Sequence, residues 1–392
     1  MAHPLLAEVT AANPDLPPHM VKNLLITSQC ISLARTTNLS KAKDFVPQVI
    51  GTSVAAQASP TANYQRLIRF FRDGVDGYLP ELHRCIQDVS VKTIGNFPAR
   101  SLKKAKQLVI DGTKWLTRED KVHFLTLCVV VEGAAIPIAS CDLEKAGHSS
   151  QAERITFFDQ VGEHFDLKGM VLLGDREYVG IEWFKSLKLE RGIDFVVRLK
   201  KGIYHDQVNE KRGRSWQAMN DRLKKNKKIK LVSKLVEIGG CEYRYIIVRN
   251  PKAGHPDEDD FVYFLTSLTN AKYAAEQYSV RWQIEVTFRH LKSNGFNLEE
   301  MRVEGKDKKE LMMAILSMVF AIMVAEGAKF YRRNPKARQQ KKDHRRGVIT
   351  LVHSTFRQGY SIALKSLSTL DRAARYLNRI FKKAKPIKWA HV

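Results

Sequence analysis

The sequence predicts an α/β protein with helical, basic flanks. Three observations carry this. Short apolar runs alternate with amphipathic stretches between about residues 105 and 200, apolar residues recur at three- and four-residue spacing before residue 95 and after residue 300, and the charge balance is lopsided. Sixty-five Lys and Arg face 41 Asp and Glu, for a net charge of +24 in 392 residues. A chain of that length with 44% hydrophobic residues can bury a sizeable core in two or three domains. The cation excess calls for a polyanionic partner, with nucleic acid first, an anionic membrane second and a ribosome-like assembly third.

In chain order, residues 20–95 read as short helices, "HMVKNLLITSQCISLARTT", "SKAKDFVPQVI" and "PTANYQRLIRFFRDGV". The last sets Arg66, Arg69 and Arg72 among apolar neighbours, a pattern shared by DNA-reading bundles and by helical caps with surface arginines. "KQLVIDGTKW", "FLTLCVVVEG" and "AAIPIASCDL" then read as three strands joined by tight turns. The helix "SSQAERITFFDQVGEHF", the strand "GMVLLGDREY", a short helix near "GIEWFKSLKL" and the strand "IDFVVRLK" follow. Three strands, helix, strand, helix, strand is the order of a ribonuclease-H-like core. From about 200 to 260 the pattern alternates with period two, as in "DRLKKNKKIKLVSKLVEIGGCEYRYIIVRN", and predicts a β-strand-rich insertion before the strand "FVYFLTSL". The expected domains are thus a helical N-terminal DNA-binding domain (1–100), a catalytic core (101–300) containing the insertion, and a basic helical C-terminal region (301–392). In the last, "KFYRRNPKARQQKKDHRR" reads as a flexible or phosphate-contacting block, and Gly359 to Lys388 as one basic helix.

Several classes are disfavoured. The apolar stretch Leu311 to Ala325 is shorter than the roughly 20 residues that cross a bilayer, and reads as a buried helix. The N-terminus lacks a basic start followed by a long apolar run, so no signal peptide is indicated. Five scattered cysteines show neither C-x-x-C spacing nor an even framework, which predicts a reducing, cytoplasmic setting without thiolate-bound zinc.

Three acids stand out in this frame. Asp111 ends the first predicted core strand, "LVIDG", and Asp175 ends the fourth, "VLLGD". Each alone fits a turn, but strands in this order can bring their carboxyl ends side by side. The third, Glu285, lies in "YSVRWQIEVTFRHLK". On one α-helix, Arg281, Trp282, Glu285, Arg289 and Lys292 fall within about 60° of Tyr278, while Val280, Ile284, Thr287 and Leu291 take the other side. A solvated stripe with ion pairs at helical spacing explains the charges but not the aromatics. Three converging carboxylates would repel one another unless cations sat between them, and oxygen-only ligands favour Mg²⁺ or Mn²⁺. Two such ions, roughly 3.5–4 Å apart, can activate a water or sugar hydroxyl and stabilise the leaving oxygen of a phosphodiester.

The spacing of Tyr278, Arg281, Glu285 and Lys292, with "VIDGT" and "GDREY" upstream, resembles the Y-R-E-K signature and aspartate regions of DDE transposases of the insertion-sequence-4 group. The resemblance covers roughly residues 105 to 300. It implies a catalytic triad of Asp111, Asp175 and Glu285 holding two divalent cations, Mg²⁺ or Mn²⁺, and phosphate contacts from Tyr278, Arg281 and Lys292, with Arg176 and Arg289 as further contacts or ion-pair partners. It implies cut-and-paste transposition of double-stranded DNA, with cleavage at the terminal repeats and 3′-hydroxyl strand transfer into target DNA, by a homodimer in a synaptic complex in the bacterial cytoplasm, nucleoid-associated when on DNA. No membrane or small-molecule substrate enters this reading. Hairpin-forming relatives hold a flipped base on a tryptophan just ahead of a Leu-Thr stretch. Here that place offers Tyr263 or Phe261, with Trp216 as a second candidate. Competing readings are a metal-dependent nuclease without strand transfer, a non-catalytic DNA-binding protein derived from a transposase, and a cationic structural protein.

Overall fold

The computed structural model describes residues 6–51, 58–116, 121–250, 260–338, 340–343, 348–351 and 354–383. Its main sheet has eight strands: β1 (Gln107–Leu116), β2 (Lys121–Val131), β3 (Ala134–Asp142), β4 (Val171–Gly174), β5 (Asp194–Leu199), β6 (Leu231–Ile238), β7 (Cys241–Arg249) and β8 (Phe261–Thr266). They hydrogen-bond in the order β3-β2-β1-β4-β5-β8-β7-β6. The longer helices are α1 (Pro18–Ala34), α2 (Pro60–Gly95), α3 (Gln151–Gly162), α4 (Trp216–Lys225), α5 (Ala271–Tyr278), α6 (Trp282–Lys292), α7 (Lys306–Arg333), α8 (Thr355–Ser366) and α9 (Leu370–Lys383). The chain forms two compact units, one from described residues of 1–104, 112–146 and 285–388, the other from 105–111 and 147–284. The divide falls within β1, after Asp111, and within α6, before Glu285.

In the second unit β1 pairs with β4, and β4 with β5, in parallel. β5 pairs antiparallel with β8, and β8, β7 and β6 continue as an antiparallel meander. All four residues of β4 are buried, which is why it reads as an unbroken apolar run rather than an alternating one. One face of this sheet carries an aromatic layer in which Phe184 stacks on Phe195 at 4.6 Å and Tyr243 closes on both. Helix α3 starts where the sequence says it should: Ser150 and Glu153 form a capping box.

In the first unit α7 is the central element, packed against α2, α8 and β3. Among the described helices it alone is long and apolar enough to cross a membrane, and its apolar window is 78% buried in the folded chain. The predicted Leu311–Ala325 segment is therefore the middle of a longer core helix. It crosses α8 with backbones in contact. A Cβ at Gly359 would overlap the Met323 carbonyl oxygen, and one at Gly327 the Thr355 carbonyl oxygen. His290 of α6 lies in the same core, 4.5 Å from the Phe356 ring centroid, with Nε2 3.1 Å from the Ser354 hydroxyl. Burial and the nearby Arg289 and Arg357 pull its pKa down to about 4, so it is folded in neutral.

Five expectations change. The stretch 278–292 is not one helix, because a 3₁₀ turn at Ser279–Arg281 separates α5 from α6. Asp111 is inside β1, not at its end. The 200–260 segment is not purely β. Helices His205–Glu210 and α4 precede the β6–β7 hairpin, since Ser215 caps α4 and its Met219 and Leu223 are buried four residues apart. The third N-terminal helix runs on to Gly95 through a kink at Tyr78. Gly359–Lys388 holds two helices, broken where the Gln29 amide donates to the carbonyls of Leu367 and Thr369. The basic block after residue 328 lies partly outside the described residues; its Gln340–Asp343 pairs antiparallel with Val348–Leu351, which follows it.

Gly359→Ala forces α7 and α8 apart and should cost about 3 kcal/mol, the upper end for overpacking; a urea midpoint within error of wild type would refute the crossing. His290 binds a proton in the unfolded chain below about pH 6.5 but in the fold only near pH 4. Unfolding free energy should therefore fall by roughly 3 kcal/mol as pH drops from 6.5 to 4, and this component should vanish in His290→Gln.

Candidate active site

The parallel register of β1 and β4 runs Gln107↔Val171, Leu108↔Leu172, Val109↔Leu173. Continued two residues, it sets Asp111 opposite Asp175 at the carboxyl end of the pair, where α/β sheets present their ligands. Both side chains are partly open, at 22% and 35% exposure. Arg281 bridges them. One guanidinium nitrogen lies 3.1 Å from an Asp111 carboxylate oxygen, and another lies 4.0 Å from Asp175. Tyr278 points its hydroxyl at the other Asp175 oxygen, at 3.5 Å, the outer limit of a hydrogen bond. Burial pushes the Tyr278 phenol well up; Arg281 opposes that, and Asp175 adds to it, so the hydroxyl remains a donor.

The 3₁₀ turn accounts for this convergence. Residues three apart eclipse one another in a 3₁₀ turn, whereas in an α-helix they diverge by about 60°. Tyr278 immediately precedes this turn and Arg281, three residues on, ends it, and both reach the aspartate pair. The Tyr278 ring rests on Phe264 of β8, centroids 4.6 Å apart. Phe264 pairs with Arg198 of β5, so both share one face of the sheet, and Arg198 also acts electrostatically on Tyr278.

The turn after Asp175 is held from below. The Tyr178 amide donates to the Asp175 carbonyl at 3.0 Å, and its buried ring packs so close to Gly174 that a Cβ there would meet Tyr178 Cβ at 2.9 Å. Under this turn lies Arg154 of α3, only 4% exposed. Its guanidinium donates to the carbonyls of Ser149 (2.8 Å) and Val179 (3.4 Å) and lies over the rings of Tyr178 and Trp183. Sequence reading missed Arg154; its signal was a cation on the helix "ERITFF" at a position in phase with Phe157, Phe158 and Val161. Arg176 of the turn is exposed.

Helix α6 buries Ile284, Thr287 and Leu291 as expected, and Thr287 donates to the Ala135 carbonyl at 2.7 Å. Glu285 is partly buried, Trp282 is 36% exposed and Arg289 is exposed. Lys292 is engaged within the protein. Its ammonium donates to the Lys114 carbonyl (2.6 Å), pairs with Glu299 (3.4 Å) and lies over the Trp115 ring. Among the described residues no group of three or more His, Cys, Asp or Glu side chains is close enough to hold a metal ion. The donor chemistry of Asp111 and Asp175, oxygen only, nonetheless fits a hard divalent cation, and the guanidinium between them shows that the position favours positive charge.

The two aromatic candidates of the insertion come together. Trp216 stacks on Tyr263 (5.9 Å, 23°) and donates to the Tyr245 hydroxyl, while Tyr263 donates to Asn220. They line a cavity of about 590 Å³ with Lys201, Lys224 and Phe261. Tyr263 pairs with Leu199, one residue out of phase with the Arg198–Phe264 pair, so it faces the opposite side of the sheet from Phe264 and Tyr278.

Residues 103–323, more than half of the chain, match the family model described as the transposase DDE domain, and the chain belongs to that family. The family implies an enzyme that cuts and joins nucleic acid, a chemistry for which DDE transposases generally use divalent metal ions. Among solved structures, the chain is similar to a cryo-EM structure of the piggyBac transposase synaptic complex with hairpin DNA. The two are 11% identical at a TM-score of 0.47, over 95% of this chain and 77% of that one. No curated protein matches the chain.

Arg154→Met keeps most of the volume but strips the fork from two carbonyls, and should cost roughly 2 kcal/mol in urea unfolding. Arg154→Lys, which has no planar fork, should recover less than half. A Met variant as stable as wild type would show that the turn holds itself.

Proposed function

We propose that the protein is a DNA transposase of the insertion-sequence-4 group, cleaving transposon ends and joining the freed 3′-hydroxyls to target DNA. The observation that carries this is the meeting of Tyr278 and Arg281, the first two members of the Y-R-E-K run, with Asp111 and Asp175. Four residues from three separate stretches would have no reason to converge on a solvated stripe. The strand order β3-β2-β1-β4-β5, with β1, β4 and β5 parallel and β2–β3 antiparallel, supports a ribonuclease-H-like core.

On this reading Asp111, Asp175 and Glu285 would hold two divalent cations, Mg²⁺ or Mn²⁺. When bound, these activate a water or a 3′-hydroxyl and stabilise the leaving oxygen at the scissile phosphate. Asp111 and Asp175 come from adjacent strands, and Glu285 follows Arg281 by four residues in the sequence. Arg281 holds the aspartates aimed, and its remaining donors are available to a backbone phosphate. Tyr278, held protonated, donates to the carboxylate side of the site. Arg289 and Arg176 are exposed cations for the flanking strand, and Lys292 would serve it by exchanging Glu299. The partners are double-stranded DNA at the terminal repeats and target, and a second copy of the chain in the synaptic complex, working in the bacterial cytoplasm on nucleoid DNA. A hairpin step would use the Trp216–Tyr263 cavity as the seat of a flipped base, which must reach the far face of the sheet around its carboxyl end.

The test is strand cleavage of DNA carrying the element's own ends, with Mg²⁺ or Mn²⁺ against chelator. Nicking that leaves a 3′-hydroxyl should require the metal and drop at least ~100-fold in Glu285→Gln. Nicking without strand transfer would reduce the protein to a nuclease. A hairpin product that disappears in Trp216→Ala would assign the cavity, whereas cleavage indifferent to chelator or to Glu285→Gln would end the three-carboxylate reading.

A further inference from the structure

Helix α9 is divided sharply into two faces. Leu370, Ala373, Ala374, Tyr376, Leu377 and Ile380 are buried. The Ile380 carbonyl accepts from the Asn96 side chain, and Phe381 lies under the Lys92 ammonium, so the inner face is committed to α2. The outer face exposes Arg372, Arg375, Arg379, Lys382 and Lys383. At 100° per residue these five fall within an arc of about 100° over roughly 16 Å of helix. Acids near the stripe are few: Asp371 on the helix itself, and Glu8, which is 3.4 Å from Lys382.

An ordinary solvated helix face interleaves both signs, as α4 does with exposed Asp221, Arg222 and Lys224. A one-sign stripe is self-repelling unless something negative lies on it. We propose that the outer face of α9 is a second DNA contact, gripping the phosphate backbone of a duplex without reading its bases, and separate from the carboxylate site. The proposal rests on the transposase reading for the identity of the polyanion. Over 16 Å a duplex offers on the order of ten phosphates, so five cations have partners to spare. An anionic bilayer is the other polyanion a basic amphipathic helix can meet, but such helices bind by sinking their apolar face, and here that face is already buried.

The experiment is the salt dependence of binding of the full chain to a labelled random-sequence duplex, followed by fluorescence anisotropy from 50 to 300 mM KCl. The charge-removing triple variant Arg372→Gln, Arg375→Gln, Arg379→Gln is expected to lower the slope of log K against log salt by about 2 to 3. The triple lysine variant at the same positions should restore it. Lys225→Gln, Lys227→Gln, Lys228→Gln, an equal loss of charge elsewhere, should leave it near wild type. Circular dichroism melts check that each variant is folded. An unchanged slope in the glutamine variant overturns the proposal. So does a slope that the triple lysine variant fails to restore, one lowered as much by the Lys225, Lys227 and Lys228 variant, or loss of binding to phosphatidylserine vesicles with DNA binding intact. A wild-type chain that binds no duplex at all would instead overturn the transposase reading on which the proposal stands.

Discussion

Two carboxylates on neighbouring parallel strands repel, and the rest of the site is arranged around that repulsion. The β1–β4 register, continued two residues, sets Asp111 opposite Asp175 at the carboxyl end of the pair. Two like charges about 5 Å apart cost roughly 3 kcal/mol at an effective dielectric of ~20. Arg281 offsets that cost from above, and Tyr278 adds a donor. From below, Arg154 and Tyr178 fix the turn that carries Asp175, so the charge cannot relieve itself by swinging away.

The same logic explains why the chain breaks its helix at Ser279–Arg281. A continuous α-helix from Tyr278 to Lys292 would have set tyrosine and arginine about 60° apart around its axis. The 3₁₀ turn lines them up, and α6 then resumes with its own buried stripe of Ile284, Thr287 and Leu291. The hydrophobic period on either side of the turn is intact, which is why the break left no trace in the apolar pattern.

That contrast marks how far the sequence could be read. The strands β1 to β5 and helix α3 were legible because each is an apolar run of fixed period ended by turn or cap residues, and these are local properties. The identity of Asp111 and Asp175 as a pair was legible because both follow such runs. Arg154 was not, since a cation among aromatics looks like a surface residue until the fold places carbonyls on both sides of it. The facing of Tyr263 was not legible either. It depends on the register of β8 against β5, set after an excursion of some sixty residues through helices and a hairpin, and one residue of register decides which face an aromatic serves. The split of α8 from α9 depends on Gln29, more than three hundred residues away in sequence.

Arg281 has consequences for how such a site would be loaded. On the proposed reading it has two roles that exclude each other at any one moment. While its guanidinium lies between the carboxylates, it supplies the positive charge they need; were Asp111 and Asp175 to hold divalent cations, that role would be redundant. The guanidinium then gains by turning to a phosphate, which is both anionic and matched to its fork. Its carrier is a short 3₁₀ turn between two helices rather than the interior of either, and a 3₁₀ segment has poorer hydrogen-bond geometry than an α-helix and yields more readily. Arg281 would thus serve two occupants in turn: the carboxylates while Asp111 and Asp175 hold no cation, and a phosphate when they do.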